Sequence, residues 1–233
     1  VGDAEPTAAV AAPTGAPAAA PADPAAVVEA ATAPFDVGAI MRQVHFAYAP
    51  TATVGRFEGG HSTYEVVAAD GALTLTPYHH LPGADGRALP GQPAALLRGA
   101  PVTVETTAVT RGGHHLASAG TPASTVDPAD SSLRLDRDGV VERFQNREDG
   151  VEQRWELAAR PAGSGDLTVE VAIAGLDYAG VTATGHHFRD PATGLGVRYG
   201  LATLIDASGN RTAVAAARPA RGVAITVPAA VLD

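Results

Sequence analysis

The chain has no cysteine, no lysine and few aromatic side chains. Without cysteine there is neither a disulfide framework nor a thiolate metal centre. Without lysine all 16 basic residues are arginine, set against 25 acidic ones, and the formal net charge is −9. That balance argues against nucleic acid, whose binding needs a basic surface that releases counterions. It equally disfavours docking on anionic lipid. Phe, Tyr and Trp make up 5% of the residues, so few rings remain to stack on sugars once a core is filled. No apolar run approaches the roughly 20 residues that cross a bilayer as a helix, and no transmembrane segment is expected. No Gly-x-Ser-x-Gly elbow occurs. Gly194-Leu195-Gly196 lacks the third glycine and the βαβ setting of a nucleotide site.

What is present begins with a biased leader. Residues 1–34 are dominated by Ala and Pro, as in Ala11-Ala12-Pro13-Thr14-Gly15-Ala16-Pro17. Such a stretch has little large apolar surface to bury, and its prolines favour extended conformations, so a disordered tether is expected. A short helix over residues 24–33, after Asp23, is the one element its composition allows. The chain opens on Val1 rather than Met, which is read as the product of signal-peptide removal. With the tether, this predicts a secreted or cell-surface location.

The body, residues 35–233, reads as all-β. Four Asp-Gly pairs occur, Asp70-Gly71, Asp85-Gly86, Asp138-Gly139 and Asp149-Gly150. Three of them separate alternating runs, as hairpin turns do, because both positions tolerate positive φ. Residues 44–48 read as a first strand. Thr63–Val67 and Leu73–Thr76 flank Asp70-Gly71, and residues 81–100 read as a long irregular loop rich in Pro and Gly. Val102–Val109 alternates as a half-buried strand should. Leu133–Arg137 and Val140–Phe144 flank Asp138-Gly139, and Phe144–Arg147 pairs with Val151–Leu157 around Asp149-Gly150. On that last run Val151, Gln153, the only Trp (Trp155) and Leu157 share a face. Leu167–Ile173, Val197–Ile205, Arg211–Ala215 and Gly222–Val227 complete ten or more strands. This spacing predicts an antiparallel β-sandwich, built as one body or as two β lobes divided near residues 119–131.

The second half carries a resemblance. Gly150-Val151-Glu152-Gln153-Arg154-Trp155, Gly165-Asp166-Leu167-Thr168-Val169, Gly185-His186-His187-Phe188-Arg189-Asp190-Pro191, Gly194-Leu195-Gly196-Val197-Arg198-Tyr199-Gly200 and Ile205-Asp206-Ala207-Ser208-Gly209 stand in this order. Together they resemble a β-rich N-terminal module of large secreted or surface proteins from high-GC predatory soil bacteria. The resemblance spans roughly residues 40–233. It implies an all-β module of a larger surface protein and brings neither an activity nor catalytic residues with it.

Three His-His pairs, His79-His80, His114-His115 and His186-His187, are the candidate metal ligands, with His45 and His61 standing alone. Imidazole suits zinc, copper or nickel. Neighbouring residues on a strand point to opposite faces, so each pair offers one ligand per face and three segments must converge. The Asp-rich stretches at Asp127-Pro128-Ala129-Asp130 and Arg189-Asp190-Pro191 match no EF-hand and read as turn-forming. Glu142, Glu148, Asp149, Glu152 and Glu156 interleave with Arg137, Arg143, Arg147 and Arg154. That pattern predicts cross-strand ion pairs on a solvated face rather than a carboxylate pair for hydrolysis. Tyr48, Tyr64, Tyr78 and Tyr178 are the rings open to a glycan-binding reading. The sequence therefore predicts a non-catalytic structural, adhesive or assembly module without a cofactor, whose partners are other protein domains or subunits meeting its β edges. A glycan-binding module and a His-ligated metal protein are the alternatives.

Overall fold

The computed structural model describes residues 44–81, 95–117 and 121–232. The leader, and the short helix expected within it, lie outside the described residues. The body is all-β, as its alternation predicts. The strands are β1 (Ala49–Pro50), β2 (Phe57–His61), β3 (Tyr64–Ala69), β4 (Ala72–His80), β5 (Leu96–Arg98), β6 (Val102–Arg111) and β7 (His114–His115). They continue with β8 (Ala123–Val126), β9 (Leu133–Asp136), β10 (Val141–Arg147), β11 (Gly150–Glu156), β12 (Leu167–Ala174) and β13 (Asp177–Thr182). β14 (Gly185–Arg189), β15 (Gly196–Tyr199), β16 (Ala202–Ile205), β17 (Arg211–Ala217), β18 (Val223–Val227) and a one-turn helix α1 (Ala229–Leu232) end the described chain.

The strands make one 11-stranded sheet and two smaller ones. The large sheet runs β1-β2-β3-β4-β6-β12-β18-β17-β16, with β5 beside β4 and β7 beside β6. The four-stranded sheet is β11-β10-β9-β8, and the three-stranded sheet is β13-β14-β15. Cross-strand register shows which residues share a face. Val66 lies opposite Leu75, Leu75 opposite Val102, Val104 opposite Ile173 and Val171 opposite Val223. One continuous apolar face thus runs across the large sheet. On its first half Phe57, Tyr64, Val66 and Leu73 pack with Leu133, Leu135 and Phe144 of the four-stranded sheet. On its second half Val109, Val169, Val171 and Val223 pack with Phe188 of the three-stranded sheet. Leu75 touches both clusters. The result is layered and sandwich-like, with one wide sheet backed by two narrow ones.

Local sequence explains the connections. Asp70 and Gly71 have φ of 53° and 81° and join β3 to β4 as a two-residue hairpin, the backbone shape Asp-Gly tolerates best. A bulge where Val171 pairs with Thr106 while Glu170 pairs with Ala108 leaves Thr107 over. That extra residue lets Val102, Val104 and Thr106 face inward before it and Val109 and Arg111 after it. The inward Arg111 guanidinium donates to the Pro161 and Gly165 carbonyls, so the cation is satisfied by backbone. β12 passes into β13 through Gly175-Leu176, and β15 into β16 through Gly200-Leu201. At each of these corners the chain leaves one sheet for another.

Four local expectations change. Val197–Ile205 is not one strand: Gly200-Leu201 divides it into β15 and β16, which belong to different sheets. Residues 44–46 form a helical turn instead of a strand, closed by Ala47 N donating to Val44 O; the strand is confined to Ala49–Pro50. The irregular stretch at 81–100 holds β5, paired with the end of β4. At Asp149-Gly150 the two-residue loop is Glu148-Asp149, because Arg147 pairs with Gly150, which opens β11.

Candidate functional site

The six paired histidines fall on separate elements. His79 and His80 end β4 and are exposed, and His80 Nε2 lies 3.0 Å from the Ser62 carbonyl oxygen. His114 and His115 form the exposed β7. On β14, His186 is buried, between the Tyr178 hydroxyl and the Ala216 carbonyl oxygen, while His187 faces outward beside Thr182. One imidazole per face is what strand alternation dictates. His45 and His61 touch edge-to-face with ring centroids 4.9 Å apart. Among the described residues no three His, Asp or Glu side chains gather as a metal site would need.

The tyrosines of the glycan reading are taken up by the body. Tyr48 and Tyr64 are buried. The Tyr64 hydroxyl donates toward the Arg147 and Gly150 carbonyls at 2.7 Å each, tying the large sheet to the β10–β11 turn. Burial is the first cause that pushes its phenol up, to about 12. Tyr78 donates to the His61 carbonyl, and Tyr178 lies under the Arg218 guanidinium at 3.9 Å. Among the described residues no Phe, Tyr or Trp is fully exposed.

The carboxylates are also committed. Arg143 meets Glu156 at 3.0 Å and Arg147 meets Glu152 at 2.6 Å, the cross-strand pairs the sequence predicts; Arg143 also meets Asp127 at 2.6 Å, a pair it did not predict. Asp127 and Asp130 cap their own turns through Ala129 N and Ser132 N. Glu142 and Arg137 are the correction. They form a buried pair, not a solvated one, with relative exposures of 0% and 7%. Glu142 Oε2 accepts from Arg137 at 2.6 Å, and Oε1 accepts from Thr106 and Gln153 at 2.6 Å each. Arg137 also donates to the Gly71 carbonyl at 2.7 Å, Trp155 Nε1 to Thr106 at 3.0 Å and the Tyr199 hydroxyl to Gln153 at 2.8 Å. Burial, with the Glu142 charge behind it, pushes the Tyr199 phenol up. Thr106 belongs to the large sheet, Glu142, Gln153 and Trp155 to the four-stranded sheet, and Tyr199 to the three-stranded one. This network pins the place where all three sheets meet. Glu142, Arg137 and Thr106 are buried, and Gln153, Trp155 and Tyr199 are half-buried around them.

No family model, curated protein or solved structure matches this chain.

Two surface features remain. β16 is the last strand of the large sheet and has no partner on its outer side among the described residues. Its sequence, Ala-Thr-Leu-Ile, holds no charge and no proline, the devices that usually protect an edge. Leu201 and Ile205 at its two ends are 72% and 54% exposed. The second feature is an open trough of about 490 Å³ over the outer face of the three-stranded sheet, lined by His187, Arg189 and Arg198 with glycines between them. Sequence reading missed both the buried pair and the trough. The alternation His186, Phe188 against His187, Arg189 was the available signal for the latter.

Asp190 fixes the loop at the end of this trough. Thr193 Oγ1 donates to it at 2.6 Å, Ala192 N at 2.9 Å and Ala100 N at 3.0 Å. These hydrogen bonds, Thr193 first, hold its carboxyl below the usual carboxylate range. A depressed folded pKa contributes stability above the unfolded value, about 3.9, and that contribution is lost as pH falls through the folded value. Asp190→Asn is therefore expected to be less stable than the native chain at pH 7, with a smaller gap at pH 2, well below the unfolded carboxylate value of about 3.9. Urea midpoints at the two pH values check this; an equal gap at both contradicts it.

Proposed function

We propose that this chain is a non-catalytic β module of a secreted or cell-surface protein, acting in structure, adhesion or assembly by pairing β16 with a strand of a neighbouring subunit or domain. The observation that carries the reading is the unprotected edge of β16, flanked by exposed Leu201 and Ile205. Strand addition supplies main-chain hydrogen bonds for affinity, and apolar side chains at the ends supply register. The carboxylates that cluster in sequence support a non-catalytic role, since most are held in ion pairs or turns. The Ala/Pro leader and the resemblance to surface-protein modules agree with the location.

Self-association is the accessible readout, because a second copy presents the same edge. Light scattering after size exclusion, from micromolar to millimolar chain, is expected to show concentration-dependent dimers. Leu201→Lys with Ile205→Lys is expected to leave only monomer, with the circular dichroism unchanged, since edge charges oppose strand addition. A native chain that stays monomeric throughout, with β16 amides exchanging as fast as in the double variant, overturns the reading.

A further inference from the structure

The trough on the three-stranded sheet gathers two guanidinium groups, Arg189 and Arg198, that form no ion pair among the described residues. His187 and Arg189 lie two apart on β14 and so share its outer face, while the inward His186 and Phe188 are buried. Register places Arg198 opposite His187 and Gly196 opposite Arg189. The face thus presents two guanidinium groups on a diagonal, roughly 7–8 Å apart at the backbone. Gly180, Gly194 and Gly196 leave the space between them bare. A Cβ on Gly194 would stand 3.1 Å from Arg189 Nη2, so that glycine gives the guanidinium room to lie along the trough.

The charge pattern is the second observation. Elsewhere Arg98, Arg134, Arg137, Arg143, Arg147 and Arg154 each meet a carboxylate. Among the described residues Arg189 and Arg198 form no ion pair. Asp177 stands opposite Arg189 on β13 without pairing to it, and Asp190 spends its oxygens on its own loop and Ala100. This leaves a trough whose own lining holds two guanidinium groups and no carboxylate, with Asp177 beside Arg189 at its margin, and a guanidinium fork matches carboxylate or sulfate oxygens two at a time.

We propose that this trough binds an acidic polysaccharide, a uronate- or sulfate-bearing sugar chain. The lining selects among polyanions. It holds no Tyr or Trp, and its one Phe, Phe188, is buried, so nucleobases find no such ring to stack on. It offers no aromatic anchor pocket of the kind that carries peptide binding. Arg189 and Arg198 take the acidic groups, while the open backbone beside the glycines meets sugar hydroxyls. The trough lies on the three-stranded sheet and does not use the β16 edge, so this site stands or falls apart from the assembly reading.

Affinity electrophoresis of the whole chain tests it, in gels containing polygalacturonate, dextran sulfate, neutral dextran, polyglutamate or single-stranded DNA. Retardation is expected in one or both acidic polysaccharides and in none of the others. Arg189→Ala and Arg198→Ala are each expected to weaken it about tenfold or more, the worth of a lost charge-assisted hydrogen bond. Arg211→Ala, away from the trough, is expected to bind as the native chain does. Thermal melts of all three variants separate lost binding from lost folding. Absence of retardation, equal binding by the double variant Arg189→Ala/Arg198→Ala, or equal or tighter binding to polyglutamate or DNA overturns the proposal.

Discussion

Glu142→Ala is expected to destabilise the protein by about 3–5 kcal/mol, the cost of leaving the partner of a buried ion pair uncompensated. Glu142 is fully buried, and the substitution strands Arg137 while removing the acceptor that Thr106 and Gln153 share. Domains have roughly 5–15 kcal/mol in all, so much of the folded margin goes. Trp155 is the only Trp and donates to Thr106, one bond from Glu142. Its fluorescence in urea therefore reports both the global midpoint and the local loss. Replacing both partners, Glu142→Leu with Arg137→Met, is expected to recover much of the stability, because well-packed apolar groups often equal or better a buried pair. A single variant within about 1 kcal/mol of the native chain contradicts this account.

Gly222→Ala is expected to cost about 3 kcal/mol or more, combining backbone strain with a clash that has no side chain to yield. Gly222 precedes β18 at φ +94°. A Cβ there would run into the Val171 carbonyl oxygen and stand 2.9 Å from Ala172 Cα, both in the middle of β12. Relief requires β18 to move off β12, where Val223 lies opposite Val171 in the core. Gly163→Ala is the control. Its φ is +97°, nearly the same, but nothing lies within 4 Å of the added carbon. Only the strain of positive φ, about 1–2 kcal/mol, is expected at Gly163. Denaturant midpoints of the two variants separate strain from clash, and equal losses would show that the close approach to β12 does not matter.

The candidate surfaces were less legible than the strands. The Glu/Arg alternation on residues 137–156 reads as one solvated face, and for Arg147, Glu152 and Glu156 it is. Glu142 has the same pattern in sequence but lies on the inner face of β10, opposite Leu135 and Trp155. The carboxylate is tolerable there only because Arg137, Thr106 and Gln153 arrive from three other strands or turns. No window of sequence contains those partners together. Arg189 and Arg198 likewise read as ordinary exposed residues, and their lack of counter-charges depends on where distant carboxylates end up.

By itself the sequence determined that the body is β: period-two alternation sets which side chains can be buried, and Asp70-Gly71 and Asp138-Gly139 set hairpins because positive φ is cheap there. It also determined the face of β11 that carries Val151, Gln153 and Trp155, since alternation leaves no choice once one of them is inward. Only the tertiary structure decided that β12 and β15 cross from sheet to sheet at Gly175 and Gly200, and that residues 44–46 turn instead of extending. It alone decided which charges are buried, which are paired and which stand open. Those outcomes depend on contacts between segments tens of residues apart, while alternation and turn chemistry act within a few residues of one another.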